Sequence, residues 1–337
     1  MKIYEKESEI GALPMTSLAL GFFDGLHIGH QQLIARCRED AKRSGRACAV
    51  FTFRENPRNV MAGRTVAPRL QTRIDKHAML EKLGVEVLFD FAFEDGFHTM
   101  PSQVFAQELL VRRFRAQTVF CGFNFRFGKN AAGDADMLIE LGQHLGYGVH
   151  VLDPVRMTVG DNPEALSANN TPGVSAKETA TPYSSGPTVS STLIRQLIAE
   201  GRVEMAADLL GRPYALSGTA VRGNGLGRTL GFPTANFKPD SDMALPAFGV
   251  YAAKTLLNGI SHPSVLNIGK RPTVDGDRIL AETHLLDMDR ELYGEELTVC
   301  FLKMLRAERK FESLQELRDA IAQNKREAED WFAYPTG

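Results

Sequence analysis

Two histidines mark the stretch of sequence with the clearest chemical potential, GFFDGLHIGH at residues 21–30. His27 and His30 are three positions apart, so they lie on one side of any helix that begins there. The glycines let the backbone approach a phosphate, and the free amide groups of a helix start attract anions. The stretch therefore predicts phosphate chemistry, with the imidazoles donating hydrogen bonds. The alternative is a tight turn with incidental histidines.

GFFDGLHIGH resembles the HxGH signature of the nucleotidyltransferase superfamily, whose members attack an α-phosphate and release pyrophosphate. VSSTLIRQL, residues 189–197, is similar to the SSTxIR motif of the same superfamily. The resemblance implies that its hydroxyls and arginine hold a triphosphate, and that catalysis proceeds by orientation and charge stabilisation. Taken alone, this motif is an ordinary helix cap followed by a surface arginine. The nucleotide-binding residues implied by the two motifs are Gly21, Phe23, Asp24, Gly29, Ser191, Thr192 and Arg195.

A third stretch, CGFNFRFGK at residues 121–129, also follows an apolar run. Its glycine spacing is one residue too long for a Walker A loop, and Asn130 replaces the Ser or Thr. The stretch resembles the GxNFxFG segment of flavin adenylyltransferases. The resemblance implies that Asn124 contacts nucleotide or flavin and that Phe127 contacts the isoalloxazine. Aromatic residues at a strand end are otherwise more often core residues.

The second half of the chain contains VRGNGLGRTLGFPTANF at residues 221–237. Its glycines suggest a dinucleotide fingerprint, but Pro233 excludes the helix that such a fingerprint requires. A flap that wraps a phosphate, followed by Thr234 and Asn236 oxygens for Mg²⁺, fits better. The stretch closely resembles the GRxxGFPTAN motif of riboflavin kinases. The nucleotide-binding residues predicted in the flap are Gly223, Gly225, Gly227 and Arg228.

Glu282 lies within LAETHLLD, where a carboxylate beside apolar neighbours needs a reason. The riboflavin kinase resemblance extends to this ExHLLD context and implies that Glu282 is the general base. It would take the proton of the ribityl 5′-hydroxyl as that oxygen attacks the γ-phosphate of ATP. A salt-bridged strand residue is the alternative. Arg306 and Glu308 resemble the RxE element of these kinases and are predicted to bind flavin.

Alternating strands and helices must position the first set of motifs. LALGFF, a helix and ACAVFTF form a βαβ unit. The pattern repeats with helices near 73–83, 102–114 and 136–145, and roughly five strands result. The fold class predicted for the first half is α/β, a doubly wound parallel sheet with ligands beyond the carboxyl ends of its strands.

Short alternating runs after Gly211 predict a small antiparallel β-barrel, with a hairpin at Asn258 and Gly259 and a terminal helix. The predicted domains are an adenylyltransferase domain, residues 1–188, a connector with the SSTxIR helix, 189–211, and a kinase barrel, 212–337. Residues 156–188 are rich in Pro, Gly, Ser, Thr and Asn. They are predicted to form a flexible insert.

Composition excludes several classes of protein. The chain has 337 residues, 43% of them hydrophobic and 24% charged, which excludes disordered and fibrous proteins. Its net charge of -2 gives no basic footprint for nucleic acid or an anionic membrane. The first residues do not read as a secretory signal, no run approaches ~18 apolar residues, and the protein is predicted to be cytoplasmic. The four cysteines are too scattered to predict a zinc site or a disulfide.

The resemblance covers nearly the whole chain, which is identified as a member of the bifunctional riboflavin kinase/FMN adenylyltransferase family. It implies that riboflavin becomes FMN in the barrel and FMN becomes FAD in the sheet domain, each step using ATP and Mg²⁺. One alternative is a kinase barrel joined to an inactive, sensor-like nucleotidyltransferase module. Another is a nucleotidyltransferase for a sugar or pantetheine phosphate, against which the PTAN and ExHLLD motifs argue. The oligomeric state stays open.

One segment departs from the family pattern. Where many members have FxPHP, this chain has FRENP at residues 53–57. Asn56 is predicted to contact the flavin substrate as a neutral donor, whereas Glu55 adds a negative charge that the flanking Arg54 and Arg58 could offset. Because a neutral hydrogen bond replaces a charged one, we expect FMN to bind about tenfold more weakly, with adenylylation retained.

Overall fold

The structure is a computed structural model that describes residues 1–93, 96–156, 186–222, 231–273, 276–288 and 290–333, without the side chains of 271–278. The chain divides into two units. The first comprises Met1–Ala67 and Thr72–Ser191, and the second comprises Pro68–Gln71 and Thr192–Gly337. The flap residues Gly223, Gly225, Gly227 and Arg228 lie outside the described residues, as does most of the 156–188 insert.

Six parallel strands form the sheet of the first unit, in the order β1-β4-β3-β2-β5-β6. They are β1 (Lys2–Tyr4), β2 (Thr16–Leu20), β3 (Ala47–Phe53), β4 (Val87–Phe91), β5 (Ala116–Gly122) and β6 (Gly148–Leu152). The predicted parallel sheet is confirmed, although the short β1 was not foreseen. The chain passes outward from β2 to β3 and β4 and then returns to the other side of β2. The topological switch point therefore lies at the carboxyl end of β2, where ligands bind in such sheets.

The helices of the first unit pack on both faces of this sheet. They are α1 (Ile28–Ser44), α2 (Pro57–Ala62), α3 (Arg73–Lys82), α4 (Ser102–Val104) with a π-helix that continues it (Phe105–Arg113), and α5 (Ala135–Leu145). Successive strand residues enter different hydrophobic clusters: Leu18 joins the one that contains Phe105, and Ala19 joins the one that contains Ile34. Burial of both faces explains the nearly continuous apolar runs of these strands.

A closed antiparallel barrel forms most of the second unit, with strand order β10-β11-β8-β7-β12-β9. Its strands are β7 (Tyr214–Val221), β8 (Ala235–Phe237), β9 (Gly249–Leu257), β10 (Ile260–Thr273), β11 (Gly276–Leu285) and β12 (Glu296–Ala307). The helices are α6 (Ser191–Ala199), which begins at the last residue of the first unit, α7 (Val203–Leu210) and α8 (Leu314–Ala333). The predicted barrel and terminal helix are confirmed. So is the hairpin between β9 and β10, where Asn258 and Gly259 have φ of 52° and 79°.

Residues 68–71 belong to the second unit despite their place in the sequence, which no pattern predicted. Arg69 pairs with Asp240 at 2.7 Å, and its backbone N–H donates to the carbonyl oxygen of Asp242 at 2.7 Å. Gln71 accepts a hydrogen bond of 3.0 Å from Arg212. These polar contacts hold a strap of four residues on the second unit.

The described ends of the insert lie side by side. Arg156 and Thr188 form an antiparallel bridge, and Val189 donates its backbone N–H to the carbonyl oxygen of Val155 at 2.9 Å. The first unit therefore brings residues 155–156 next to residues 188–189. Among the described residues, no helix combines the length and apolar character needed to cross a membrane.

Candidate active sites

The loop between β2 and α1 has a backbone conformation that only local packing can maintain. Phe23 and Leu26 have φ of 55° and 43°, a region that costs non-glycine residues free energy. A Cβ on Gly21 would lie 2.9 Å from the Phe23 ring, so this glycine lets the ring fold over the strand end. Thr52 holds the far side of the loop, because its hydroxyl donates to the carbonyl oxygen of Phe22 at 2.8 Å. The strained loop lies at the switch point of the sheet.

The two histidines of this loop form one stacked pair. Their ring centroids are 3.6 Å apart with an interplanar angle of 16°, and the Phe23 ring meets His30 edge-on at 5.2 Å. His27 is the N-cap of α1, and its Nδ1 accepts the backbone N–H of His30 at 3.3 Å. A Cβ on Gly29 would lie 3.3 Å from the His27 ring. The structure thus brings Gly21, Phe23, His27, Gly29 and His30 together.

Burial makes both imidazoles poor bases. It lowers the pKa of His27, which is 7% exposed, to about 4, and it lowers the pKa of His30 well below its usual 6.5. The neighbouring His27 and Lys76 lower the pKa of His30 further. Both rings are neutral at pH 7 and donate or accept hydrogen bonds without a net charge. Within the described ranges, His30 Nδ1 is buried and has no hydrogen-bond partner, as expected of a group that awaits a ligand oxygen.

The second predicted motif meets the same loop through its serine. Ser191 donates its hydroxyl hydrogen to the carbonyl oxygen of Asp24 at 2.9 Å, and Asp24 is buried. Thr192 is exposed in the first turn of α6. Within the second unit, Arg195 uses its Nε to donate to the Pro68 carbonyl oxygen at 2.6 Å. Arg195 therefore anchors the strap of residues 68–71, and its role toward a triphosphate stays a prediction.

The aromatic turn after β5 exposes its asparagine and buries one of its phenylalanines. Asn124 is exposed beyond the carboxyl end of the strand, as a ligand contact requires. Phe127 is only 6% exposed, and its ring packs 5.3 Å from Phe105 in the hydrophobic core. Phe125 stacks on it at 5.8 Å and is only partly buried. Phe127 thus lies in the core, Phe125 is the more accessible of the two rings, and the contact of Phe127 with a flavin stays a prediction.

The FRENP segment begins α2. Asn56 is the N-cap of this helix, and its Oδ1 accepts the backbone N–H of Arg58 at 3.0 Å. Arg54 donates to the carbonyl oxygen of Glu5 at 3.0 Å and lies 3.4 Å from its carboxylate. Glu5 also receives Arg73 at 2.6 Å, so it shares its charge between two arginines. Glu55 and Arg58, the other arginine expected to offset it, are both exposed.

In the barrel, three polar residues occupy adjacent positions on three strands. Glu282 of β11 is paired in register with Asn236 of β8 on one side and with Asn267 of β10 on the other. Directly opposed residues project from the same face of a sheet, so the three side chains share one surface. Thr234 lies two residues before Asn236. The sequence had named Glu282, Asn236 and Thr234, and the fold aligns them.

A cavity of about 210 Å³ lies between this surface and α8. Its polar lining includes Thr234, Glu282, Arg306 and Glu308. Its apolar lining comprises Phe232, Val250, Val265, Phe311, Leu317 and Ile321. Thr234 also lines a smaller cavity of about 70 Å³, together with Asn236 and Arg290. The barrel therefore offers a largely apolar chamber with a carboxylate in its wall, next to a polar recess.

Asn236 has the features of a ligand residue. It is 5% exposed, and its Oδ1 is buried without a hydrogen-bond partner among the residues that the structure describes. An uncompensated buried oxygen is costly unless a cation or donor satisfies it. The described part of the chain holds no cluster of three His, Cys, Asp or Glu residues for a metal. A cation here would use amide and hydroxyl oxygens and share ligands with phosphate, which suits Mg²⁺.

The far wall of the large cavity contains a residue that the sequence analysis missed. Asn324 of α8 is 4% exposed, and its Oδ1 accepts from Arg306 Nε at 3.0 Å. Burial lowers the pKa of Arg306, which also lies 5.3 Å from the Phe311 ring centre. A polar side chain on the core-facing stripe of a helix was the available signal. Asn324 fixes the guanidinium at the cavity wall.

Comparison with known families finds two families, each of which matches one part of the chain. The family described as FAD synthetase matches residues 11–162, and the family described as riboflavin kinase matches residues 210–332. The chain is 34% identical to a bifunctional riboflavin kinase/FMN adenylyltransferase of Escherichia coli over 94% of its own length and 92% of the relative's. It is 33% identical to the protein of that name from Bacillus subtilis, covering 94% of this chain and 92% of that one.

A solved structure supports the fold. The chain superposes on a protein of Streptococcus pneumoniae with a TM-score of 0.80, covering 98% of both chains at 27% identity. That protein is described as a macrolide-efflux protein. The likeness concerns the arrangement of the chain, and the name applies to that protein alone.

Proposed function

Because the chain belongs to the family of bifunctional riboflavin kinases and FMN adenylyltransferases, we propose that its two sites carry out the two reactions in turn. The enzyme phosphorylates riboflavin to FMN and adenylylates FMN to FAD, with ATP as the co-substrate of both steps. We assign the first reaction to the barrel cavity and the second to the loop between β2 and α1. The observation that carries this assignment is that each site holds a buried polar atom without a hydrogen-bond partner among the described residues, His30 Nδ1 in the first unit and Asn236 Oδ1 in the second.

The barrel cavity suits a flavin. Its apolar lining can enclose the isoalloxazine, and Arg306 and Glu308 supply polar contacts at the ring edge. Glu282 lies in the same wall, beside Asn236 and Asn267. As general base it accepts the proton of the ribityl 5′-hydroxyl while that oxygen forms a bond to the γ-phosphorus of ATP. The bond between that phosphorus and the β,γ-bridging oxygen breaks, and ADP leaves.

Thr234 and Asn236 are the residues that would hold Mg²⁺ in this site. The fit rests on the orphaned Asn236 Oδ1 and on the position of Thr234 in the walls of both cavities. When bound, the ion neutralises charge on the transferred phosphate. The protein contributes a rigid oxygen pair. Thr234 directly precedes β8 and Asn236 lies within it, and hydrogen bonds of the barrel fix that strand.

The adenylylation site works by positioning. The N-terminus of α1 and the neutral His27 and His30 donate hydrogen bonds to the α-phosphate of ATP, where negative charge accumulates. An oxygen of the FMN phosphate attacks the α-phosphorus, the bond to the bridging oxygen breaks, and pyrophosphate leaves. No side chain forms a covalent bond in this step. Ser191 supports the arrangement by its hydrogen bond to the Asp24 carbonyl oxygen.

Product analysis tests the overall proposal. Purified protein is incubated with riboflavin, ATP and Mg²⁺, and the flavins are separated by chromatography over time. We expect FMN to appear before FAD, and we expect EDTA to abolish both. Accumulation of FMN without FAD, even when FMN is supplied, would contradict the assignment of the first unit and favour the sensor-like alternative. Cytoplasmic localisation remains a prediction for a separate experiment.

A further inference from the structure

A lysine with no assigned role lies beneath the adenylylation loop. Lys76 of α3 is only 5% exposed. Its Nζ donates to the carbonyl oxygen of Phe53 at 3.0 Å and lies 3.5 Å from the Thr52 hydroxyl oxygen. The same ammonium group is 5.2 Å from the centre of the Phe22 ring. Lys76 therefore joins the end of β3 to the loop that follows β2.

The environment of Lys76 is unfavourable for a charge. Its direct partners are neutral, and among the described residues no carboxylate is close enough to form an ion pair with Nζ. Asp90 supplies the largest opposing charge: its Oδ2 accepts from Arg73 and His77, each at 2.7 Å, and its Oδ1 is buried with no hydrogen-bond partner among the described residues. Burial lowers the pKa of Lys76, and the more distant charges of Asp90, Asp24 and Glu55 oppose that effect. A buried ammonium without a paired carboxylate destabilises a fold, so its presence here indicates a function.

The location of Lys76 indicates a role in ligand binding. Phe53 is the last residue of β3, and Phe22 follows the end of β2, so Lys76 lies below the edge of the sheet where ligands bind. Its charge reaches His30, whose pKa it lowers. Its charge also reaches the exposed Glu55, the acidic residue that replaces a proline of the family pattern.

We propose that Lys76 is a positioning residue of the adenylylation site, whose buried ammonium group favours the binding of a substrate phosphate between α1 and β3. The inference rests on the proposed placement of adenylylation at His27 and His30. The phosphate is either the monoester of FMN or the α-phosphate of ATP. Lys76 acts on it through its electric field, and it fixes Phe22 and Phe53 through its contacts.

The substitution Lys76→Met tests the proposal, because it keeps the length of the side chain and removes the charge. We expect KM in the adenylylation reaction to rise about tenfold or more for FMN or for ATP. The substrate whose KM rises is the one whose phosphate lies near Lys76. The melting temperature should stay the same or increase, since an unpaired buried charge is removed. Riboflavin kinase activity in the same chain should not change.

Matched variants make the result decisive. Lys82→Met alters an exposed lysine of the same helix and should leave both constants unchanged. Lys76→Arg keeps the charge and should retain much of the affinity. Equal losses in Lys76→Met and Lys76→Arg with a lowered melting temperature would overturn the proposal, as would unchanged constants for both substrates in Lys76→Met. If His30→Ala retained adenylylation, the placement of the site would fail instead, and the two failures are thus distinguishable.

Discussion

His27 and His30 stack ring on ring at 3.6 Å, and the Nδ1 of the first accepts the backbone N–H of the second. This geometry settles the tautomer of His27, because an accepting Nδ1 leaves the proton on Nε2. Burial lowers the pKa of both rings, and the neighbouring His27 lowers that of His30 further. In the proposed reaction the pair therefore acts as neutral hydrogen-bond donors.

The low pKa of His27 predicts a stability loss in acid. In the folded chain the pKa is about 4, against 6.5 for an ordinary histidine, so the unfolded chain takes up the proton first as pH falls. The stabilising effect is complete above pH 6.5 and decreases toward pH 4. At pH 5 the loss amounts to about 2 kcal/mol for this residue.

Hydrogen exchange of peptides from α1 measures that loss, with peptides from β9 and β10 as an internal reference. His27→Asn is the matched variant, because asparagine is a good N-cap but does not titrate. As pH is lowered from 7 to 5, the protection of α1 should fall further in the wild type than in His27→Asn. An identical pH dependence in both proteins would show that His27 does not titrate in this range.

The charge of Glu55 predicts weak FMN binding. Glu55→Gln removes the charge and keeps Asn56 as the cap of α2, so we expect KM for FMN to fall severalfold while kcat stays constant. Glu55→Pro with Asn56→His, which restores the family pattern, should lower KM as well. That double variant also removes a helix cap, at a cost of about 1 kcal/mol in stability. Steady-state kinetics at saturating ATP measure both, and an unchanged constant in Glu55→Gln would mean that the segment does not face the flavin phosphate.

The insert should tolerate deletion. The bridge between Arg156 and Thr188 already holds its ends together, and loop-closure entropy changes slowly with length. Removal of residues 162–182 should leave the melting temperature and both activities within about twofold of the parent. Loss of FAD formation at an unchanged melting temperature would assign a catalytic role to the insert.

Asn236 should set the Mg²⁺ requirement of the kinase. Asn236→Ala removes the orphaned Oδ1, so the Mg²⁺ concentration for half-maximal riboflavin phosphorylation should rise about tenfold or more. The adenylylation reaction of the same variant serves as the control and should keep its Mg²⁺ dependence. An unchanged requirement in the kinase reaction would place the ion elsewhere.

Much of the fold could be predicted because its signals are local. The apolar run ACAVFTF gave β3 with its bounds, and Asn258 with Gly259 gave the hairpin turn. The short β1 could not be predicted, because three residues carry no period and only pairing with β4 makes them a strand. The strap of residues 68–71 depends on contacts with residues about 170 positions away. A local sequence pattern carries no information about such distant partners.

In the candidate sites, too, local motifs could be predicted and tertiary packing could not. Motif spacing predicted His27, His30, Thr234, Asn236 and Glu282. Lys76 and Asn324 were missed because a lysine or asparagine on a helix is usually exposed, and only tertiary packing buries it. Phe127 lies in the hydrophobic core, which motif spacing could not predict, and its contact with a flavin stays a prediction.

Product chromatography of two single variants tests most directly that separate sites carry the two reactions. Wild type, His30→Ala and Glu282→Gln are each incubated with ATP and Mg²⁺, once with riboflavin and once with FMN. We expect His30→Ala to make FMN at the normal rate and FAD about 100-fold or more slowly. Glu282→Gln should form no FMN from riboflavin but convert supplied FMN to FAD normally. A folded variant that lost both activities, or kept both, would contradict the division of labour.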